Sequence, residues 1–177
     1  MHRRINALVV MGVAGCGKSS VGQAVARRCD ALFIEGDAFH PAANIAKMSA
    51  GIPLNDDDRA GWLARLGEEL RQATRQGQRA VLTCSALRLA YRQQLRQSVP
   101  GLGFVYLELS RETAGQRVAS RPDHFMPASL IDSQFAALEP PHVEPLTLAL
   151  DATLPVDQLS LAAETWWKSA DVIARPA

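Results

Sequence analysis

Short, unbroken apolar runs alternate along this chain with longer stretches in which apolar residues recur every three or four positions. The runs are too short for helices and too continuously apolar for a half-exposed sheet, so they read as strands buried on both faces. They fall at 7–11, 31–34, 80–83, 104–109 and 147–150. The intervening stretches read as amphipathic helices. The first begins at Lys18 and sets Val21, Ala24, Val25 and Cys29 on one face; a second, over about 41–49, carries Ile45 and Met48. A long one from about 57 to 76 places Leu63, Leu66, Leu70 and Ala73 at core-facing spacing, with Asp56, Asp57 and Asp58 near its positive end. Further helices are expected at 87–98, 111–120 and from 156 to about 168. Strand–helix alternation of this kind predicts an α/β fold of three layers, a central parallel sheet flanked by helices. Residues 121–145 break the pattern. They are rich in proline with little apolar period, and read as a lid inserted in the fold.

Composition narrows the reading. The 177 residues make one domain, spanning 1–177, and a net charge of +1 supplies no field for nucleic acid or membrane. Cys16, Cys29 and Cys84 show no C-x-x-C spacing, which fits free thiols in a reducing cytoplasm. No apolar run approaches the ~20 residues that span a bilayer, and residues 1–6 lead straight into the first strand, leaving no room for a signal peptide. A cytoplasmic, soluble protein is expected. Its oligomeric state stays open, a homodimer included.

The first strand runs into Gly12-Val13-Ala14-Gly15-Cys16-Gly17-Lys18-Ser19, a complete G-x-x-x-x-G-K-[ST] phosphate-binding loop in its required strand–loop–helix setting. The glycines let successive N–H groups turn inward around phosphate oxygens, and the helix start adds its positive end. Lys18 is expected at the β- and γ-phosphates, with Ser19 on Mg²⁺ and Ser20 beside it. After the second strand comes Glu35-Gly36-Asp37-Ala38-Phe39-His40-Pro41. Ligands bind beyond the carboxyl ends of parallel strands, so Glu35 and Asp37 should face the γ-phosphate. Asp37 could take the proton of an attacking hydroxyl; alternatively it caps the helix that follows. Lys47, Arg59, Arg88 and Arg92 come from strand-end segments, and the stretch 87–98 contains no acid to pair the two arginines. The four cations are therefore expected to converge on an anionic substrate. Arg117 and Arg121 lie four apart at the start of the lid, placed to close positive charge onto the transferring phosphoryl group. His124 has no partner visible in sequence, and a positional role is expected for it.

The segments GVAGCGKSS, EGDAFHPAANIAKMSAGIPLNDDDRAGWL, CSALRLAYRQQLR and HFMPASLIDSQFAALEPP, in this order, resemble the gluconate kinase family among the P-loop small-molecule kinases. The resemblance covers 9–141 and implies a P-loop kinase fold with ATP-dependent, Mg²⁺-assisted phosphorylation of D-gluconate to 6-phospho-D-gluconate. It implies ATP at residues 12–20, Arg117, Arg121 and the loop around Pro155. It implies gluconate at Asp37, His40, Lys47, Arg59, Arg88, Arg92 and Gln134, metal at Ser19 and Glu35, and catalysis by Lys18, Asp37 and Arg121. Glu35 stands where the family usually has aspartate, and Arg88-Leu89 where paired lysines are common. Two other readings remain: a kinase for another small acid such as shikimate, and a nucleotide-binding switch with little turnover.

Overall fold

The computed structural model describes residues 4–121 and 129–173. Five parallel strands, β1 (Ala7–Met11), β2 (Leu32–Glu35), β3 (Ala80–Thr83), β4 (Gly103–Glu108) and β5 (Thr147–Asp151), form one sheet in the order β2-β3-β1-β4-β5. Every strand lies within one residue of its sequence-derived position at each end. All five residues of β1 are buried, and their side chains alternate between two cores. Leu8 and Val10 face one packed by helices α1 (Lys18–Arg28) and α7 (Val156–Ile173). Ala7, Val9 and Met11 face the other, packed by α3 (Asp56–Arg75) and α4 (Leu89–Ser98). The strand period of two thus serves two helical layers at once, which is why the strands read as continuous apolar runs.

Three smaller helices complete the described residues: α2 (Ala42–Ser49), α5 (Arg111–Ala119) and α6 (Leu130–Ala137). Asn55 caps α3 by accepting the Asp58 N–H at 2.8 Å, while the Asp58 carboxylate accepts the Asn55 N–H at 3.0 Å. The terminal helix runs a turn past its expected end, and within it Trp167, fully buried, donates its indole N–H to the Ile5 carbonyl at 2.8 Å.

Part of the segment expected as a lid, 121–145, has regular structure of its own. Residues 130–137 are helical, burying Leu130, Ile131 and Gln134 on one face. Beyond them the chain is tied to α4. The Glu139 N–H donates to the Leu87 carbonyl at 2.8 Å, and its carboxylate accepts the Leu89 N–H at 2.7 Å. Glu144 binds both Arg92 and Arg96. Residues 139–144 are thereby fastened along α4. Residues 122–128, with the histidine at 124, lie outside the described residues.

Candidate active site

β1 is the central strand and leads to β2 at one edge, while its neighbour β4 leads to β5 at the other, so the carboxyl ends of these two strands form the switch point where such folds bind ligands. The phosphate loop occupies that point. Gly12, Gly15 and Gly17 have φ of +147°, +82° and +94°. At Gly12 a side chain would also collide, since a Cβ would stand 2.7 Å from Cys16 Sγ and 2.8 Å from the Leu107 carbonyl. Val13 and Cys16 point into the core, so they can serve a nucleotide only through their backbone. Lys18 bends back over the loop, its Nζ 3.1 Å from the carbonyls of both Gly12 and Val13. Ser19 and Ser20 are exposed in the first turn of α1, which has no acidic residue to compete with an anion. The cleft is lined by these groups together with Ala14, Asp37, Ser85, Arg121 and Gln134.

Asp37 reaches the cleft through a close packing of strands. Gly36 follows β2 so tightly against β3 that a Cβ there would fall 1.9 Å from the Thr83 carbonyl. Its N–H donates to Thr83 Oγ1 at 3.1 Å, and the Thr83 hydroxyl in turn donates to the Glu35 carboxylate. A one-turn 3₁₀ helix, Gly36–Phe39, then turns Asp37 outward with its side chain half exposed. Asp37 caps nothing: α2 begins after Pro41 without a side-chain cap. His40 lies behind Asp37, stacked on Trp62 with ring centroids 4.0 Å apart. Burial holds its imidazole below the usual histidine range, Asp37 opposing and Arg59 adding to the effect. Cys84, at the end of β3, is completely enclosed, and burial pushes its thiol up to about 12, so it is no nucleophile.

A second cavity of about 270 Å³ opens beside the first, lined by Arg59, Arg88, Ser133 and Gln134 over an apolar floor including Met48, Leu54 and Leu130. Gln134 belongs to both cavities. From α6 its Oε1 accepts the Ala14 N–H of the phosphate loop at 2.7 Å. Of the four cations expected to converge here, two do. Arg59 donates to the Leu54 carbonyl and, at 3.3 Å, to the Tyr91 hydroxyl, which itself donates to Asp56. The Arg88 guanidinium is exposed, with no hydrogen-bond or ion-pair partner among the described residues.

The other two are corrections. Arg92 is fully buried, bound to Glu144 and to the Ala86 and Glu139 carbonyls. Its acid lies 52 residues away, outside the stretch in which the sequence reading sought one. Arg88 precedes α4 in extended conformation, so helical spacing does not put the two on one face. Lys47 is bound through both carboxylate oxygens to Asp58, at 2.8 and 2.9 Å, and lines neither cavity. Arg117 is a third correction. Its guanidinium donates to the Gly15 carbonyl at 3.2 Å and the Ala152 carbonyl at 3.1 Å, fastening the phosphate loop to the loop after β5. That leaves it holding the loop's backbone instead of facing phosphate. Pro155, in that second loop, is exposed and starts α7.

Residues 8–141 match the family described as an AAA domain, a P-loop nucleotide-binding unit. A gluconokinase of Gluconobacter oxydans is 51% identical over 134 residues, covering 76% of this chain and 75% of the relative. The chain belongs to the gluconokinase family. The thermosensitive gluconokinase of Escherichia coli is 43% identical over 136 residues, covering 77% and 73% of the two chains. A crystal structure of a gluconokinase from Sinorhizobium meliloti 1021 superposes with a TM-score of 0.85 at 46% identity, over 97% of each chain. Gluconokinases take ATP as the nucleotide, which suits the loop geometry above. Among the described residues no helix is long and apolar enough to cross a membrane.

Sequence reasoning about this gluconokinase-family site missed its supports. Ser85 enters the cleft from the end of β3, Tyr91 braces Arg59 of the second cavity, and Asn44 and Trp62 hold His40 and the Gly36 carbonyl beside Asp37. Only position after a strand end could have flagged Ser85. Nothing in the local pattern marks Trp62 and Tyr91, whose rings are buried while their polar ends brace neighbours.

Proposed function

We propose that this chain transfers the γ-phosphoryl group of ATP to the 6-hydroxyl of D-gluconate, giving 6-phospho-D-gluconate, as an ATP:D-gluconate 6-phosphotransferase. The supporting observation is the pairing of two cavities across Gln134. One offers a phosphate loop and a carboxylate, Asp37; the other offers two arginines. An acyclic six-carbon acid carries its carboxylate and its terminal hydroxyl at opposite ends, so one molecule can satisfy both cavities. In this reading Arg59 and Arg88 hold the substrate carboxylate, and Gln134 and Ser133 line the polyol's path. Asp37 accepts a hydrogen bond from the attacking hydroxyl and aims its oxygen at phosphorus. Phosphoryl transfer through a loose transition state needs this orientation more than a strong base.

Lys18 leaves the loop carbonyls for the β- and γ-phosphates, and Arg121, which lines the same cleft, adds charge to the moving group. The residues fit a Mg²⁺ ion. Ser19 presents a hydroxyl with no partner among the described residues, and Glu35 keeps a carboxylate at the end of β2, beyond β3. When bound, the ion would supply countercharge to the phosphate oxygens. The three buried free thiols accord with a reducing, cytoplasmic setting.

ADP release measured across a panel of sugar acids and shikimate tests the reading. D-Gluconate should give the highest kcat/KM, and phosphorus NMR should find the product ester on the terminal oxygen. Preference for shikimate, or nucleotide binding with no acid-dependent turnover, would overturn it.

A further inference from the structure

Asn44 on α2 is 3% exposed, yet it faces no substrate cavity. Its Nδ2 lies 2.9 Å from the Asp58 carbonyl oxygen and 3.3 Å from His40 Nδ1. A backbone carbonyl can only accept, so the amide nitrogen, and not its oxygen, must occupy this place. One amide hydrogen goes to Asp58, leaving the other for His40 Nδ1. That ring nitrogen must therefore carry a lone pair, and the proton of a neutral imidazole sits on Nε2. Nε2 faces Asp37 Oδ1 at 3.8 Å.

We propose that Asn44 and His40 form a hydrogen-bond chain of fixed polarity that presents a neutral Nε2–H donor to Asp37, making His40 a positioning residue instead of a substrate ligand. This rests on the role given to Asp37 above. Three features support it. The ring is stacked on Trp62 at an interplanar angle of 17°, and Trp62 is itself fixed by its indole N–H on the Gly36 carbonyl at 2.8 Å. The His40 side chain is 4% exposed, too enclosed to grip a solvated polyol. Protonating Nδ1 would set two donors against each other at Asn44, so the geometry resists the imidazolium independently of burial. The charged groups around the ring are Asp37 on its own segment and Arg59 on α3, with the Lys47–Asp58 pair beyond Asn44. Asp37 is half exposed and can rotate through the small distance that separates 3.8 Å from a hydrogen bond.

The test uses the intact protein labelled with ¹⁵N-histidine. Long-range ¹H–¹⁵N correlation at pH 7.5 should show His40 as the neutral Nε2–H tautomer, its signal assigned by loss in His40→Phe. An Nδ1–H tautomer or an imidazolium at that pH would overturn the proposal, and loss of the signal in His40→Gln supplies the assignment if His40→Phe fails to fold. In kinetics, His40→Phe keeps a ring against Trp62 and removes the donor. It should lower kcat by about tenfold to a hundredfold, the scale on which a misaimed catalytic group costs rate. Gluconate KM should change less than about threefold, and His40→Gln, which retains a donor, should recover part of kcat. A large rise in gluconate KM with kcat intact would make His40 a substrate ligand and overturn the proposal. Asp37→Asn with undiminished kcat would instead remove the role of Asp37 itself, an outcome the tautomer measurement separates from failure of the chain alone.

Discussion

Arg88 and Arg92 stand four positions apart and are expected to fail differently when removed. Arg92→Ala leaves Glu144 with Arg96 alone and the Ala86 and Glu139 carbonyls without their donor, a change that costs on the order of 1–3 kcal/mol for each buried acceptor orphaned. Its thermal midpoint should drop by many degrees, while the folded fraction keeps a near-normal gluconate KM. Arg88→Ala should leave the midpoint where it was and raise gluconate KM, with ATP KM unchanged. Steady-state kinetics beside calorimetry on the two variants checks both, and a stable Arg92→Ala with a raised gluconate KM would return that arginine to the substrate. Lys18→Ala should lower kcat by at least about 10²-fold, the typical worth of one charge or donor on a developing transition state. Near-normal turnover in that variant would exclude the phosphate loop from the chemistry.

Between β2 and β3 the spacing depends on one missing methyl group. Gly36→Ala would drive a Cβ into the Thr83 carbonyl, and overpacking of this kind costs about 1–3 kcal/mol. Because Asp37 is the next residue, kcat should fall with stability, and denaturant titration with kinetics measures the pair; loss of stability with intact kcat would detach Asp37 from catalysis. The requirement at Gly36 was invisible in the sequence, since it arises from a neighbour 47 positions later. The same holds for Arg92 and Glu144. Periodicity located all five strands, and motif spacing located Lys18, Ser19 and Asp37, because those signals are local. It lost α6, whose eight residues give barely two turns of period and lie in a proline-rich stretch. It also overcounted the converging cations, because whether a charge is free depends on acids that only the fold brings near.

Taken whole, the molecule hangs one flank of its active site on the Glu144 ion pairs. Burial pushes that carboxyl up, but hydrogen bonds from Arg92 and Arg96 outweigh it and hold it below its ordinary value of 4.5. The folded protein thus binds this proton more weakly than the unfolded chain. The contribution to stability is complete above pH 4.5 and drains away as pH falls through the lower folded value. Thermal midpoints followed from pH 7 down to 3 should show a steeper acid decline in wild type than in Glu144→Gln, and parallel curves would deny the pair this part. The wall between the cavities carries a different consequence. Gln134 touches the phosphate loop with one face and lines the acid's cavity with another, so whatever one ligand does to α6 is felt where the other binds. Thermodynamics then demands symmetry: if ATP analogue multiplies the affinity for gluconate by some factor, gluconate must multiply the affinity for the analogue by the same factor. Calorimetric titration of each ligand with and without the other should return one number twice, and Gln134→Ala should bring it toward unity. A single amide would then set how strongly each substrate announces itself to the other.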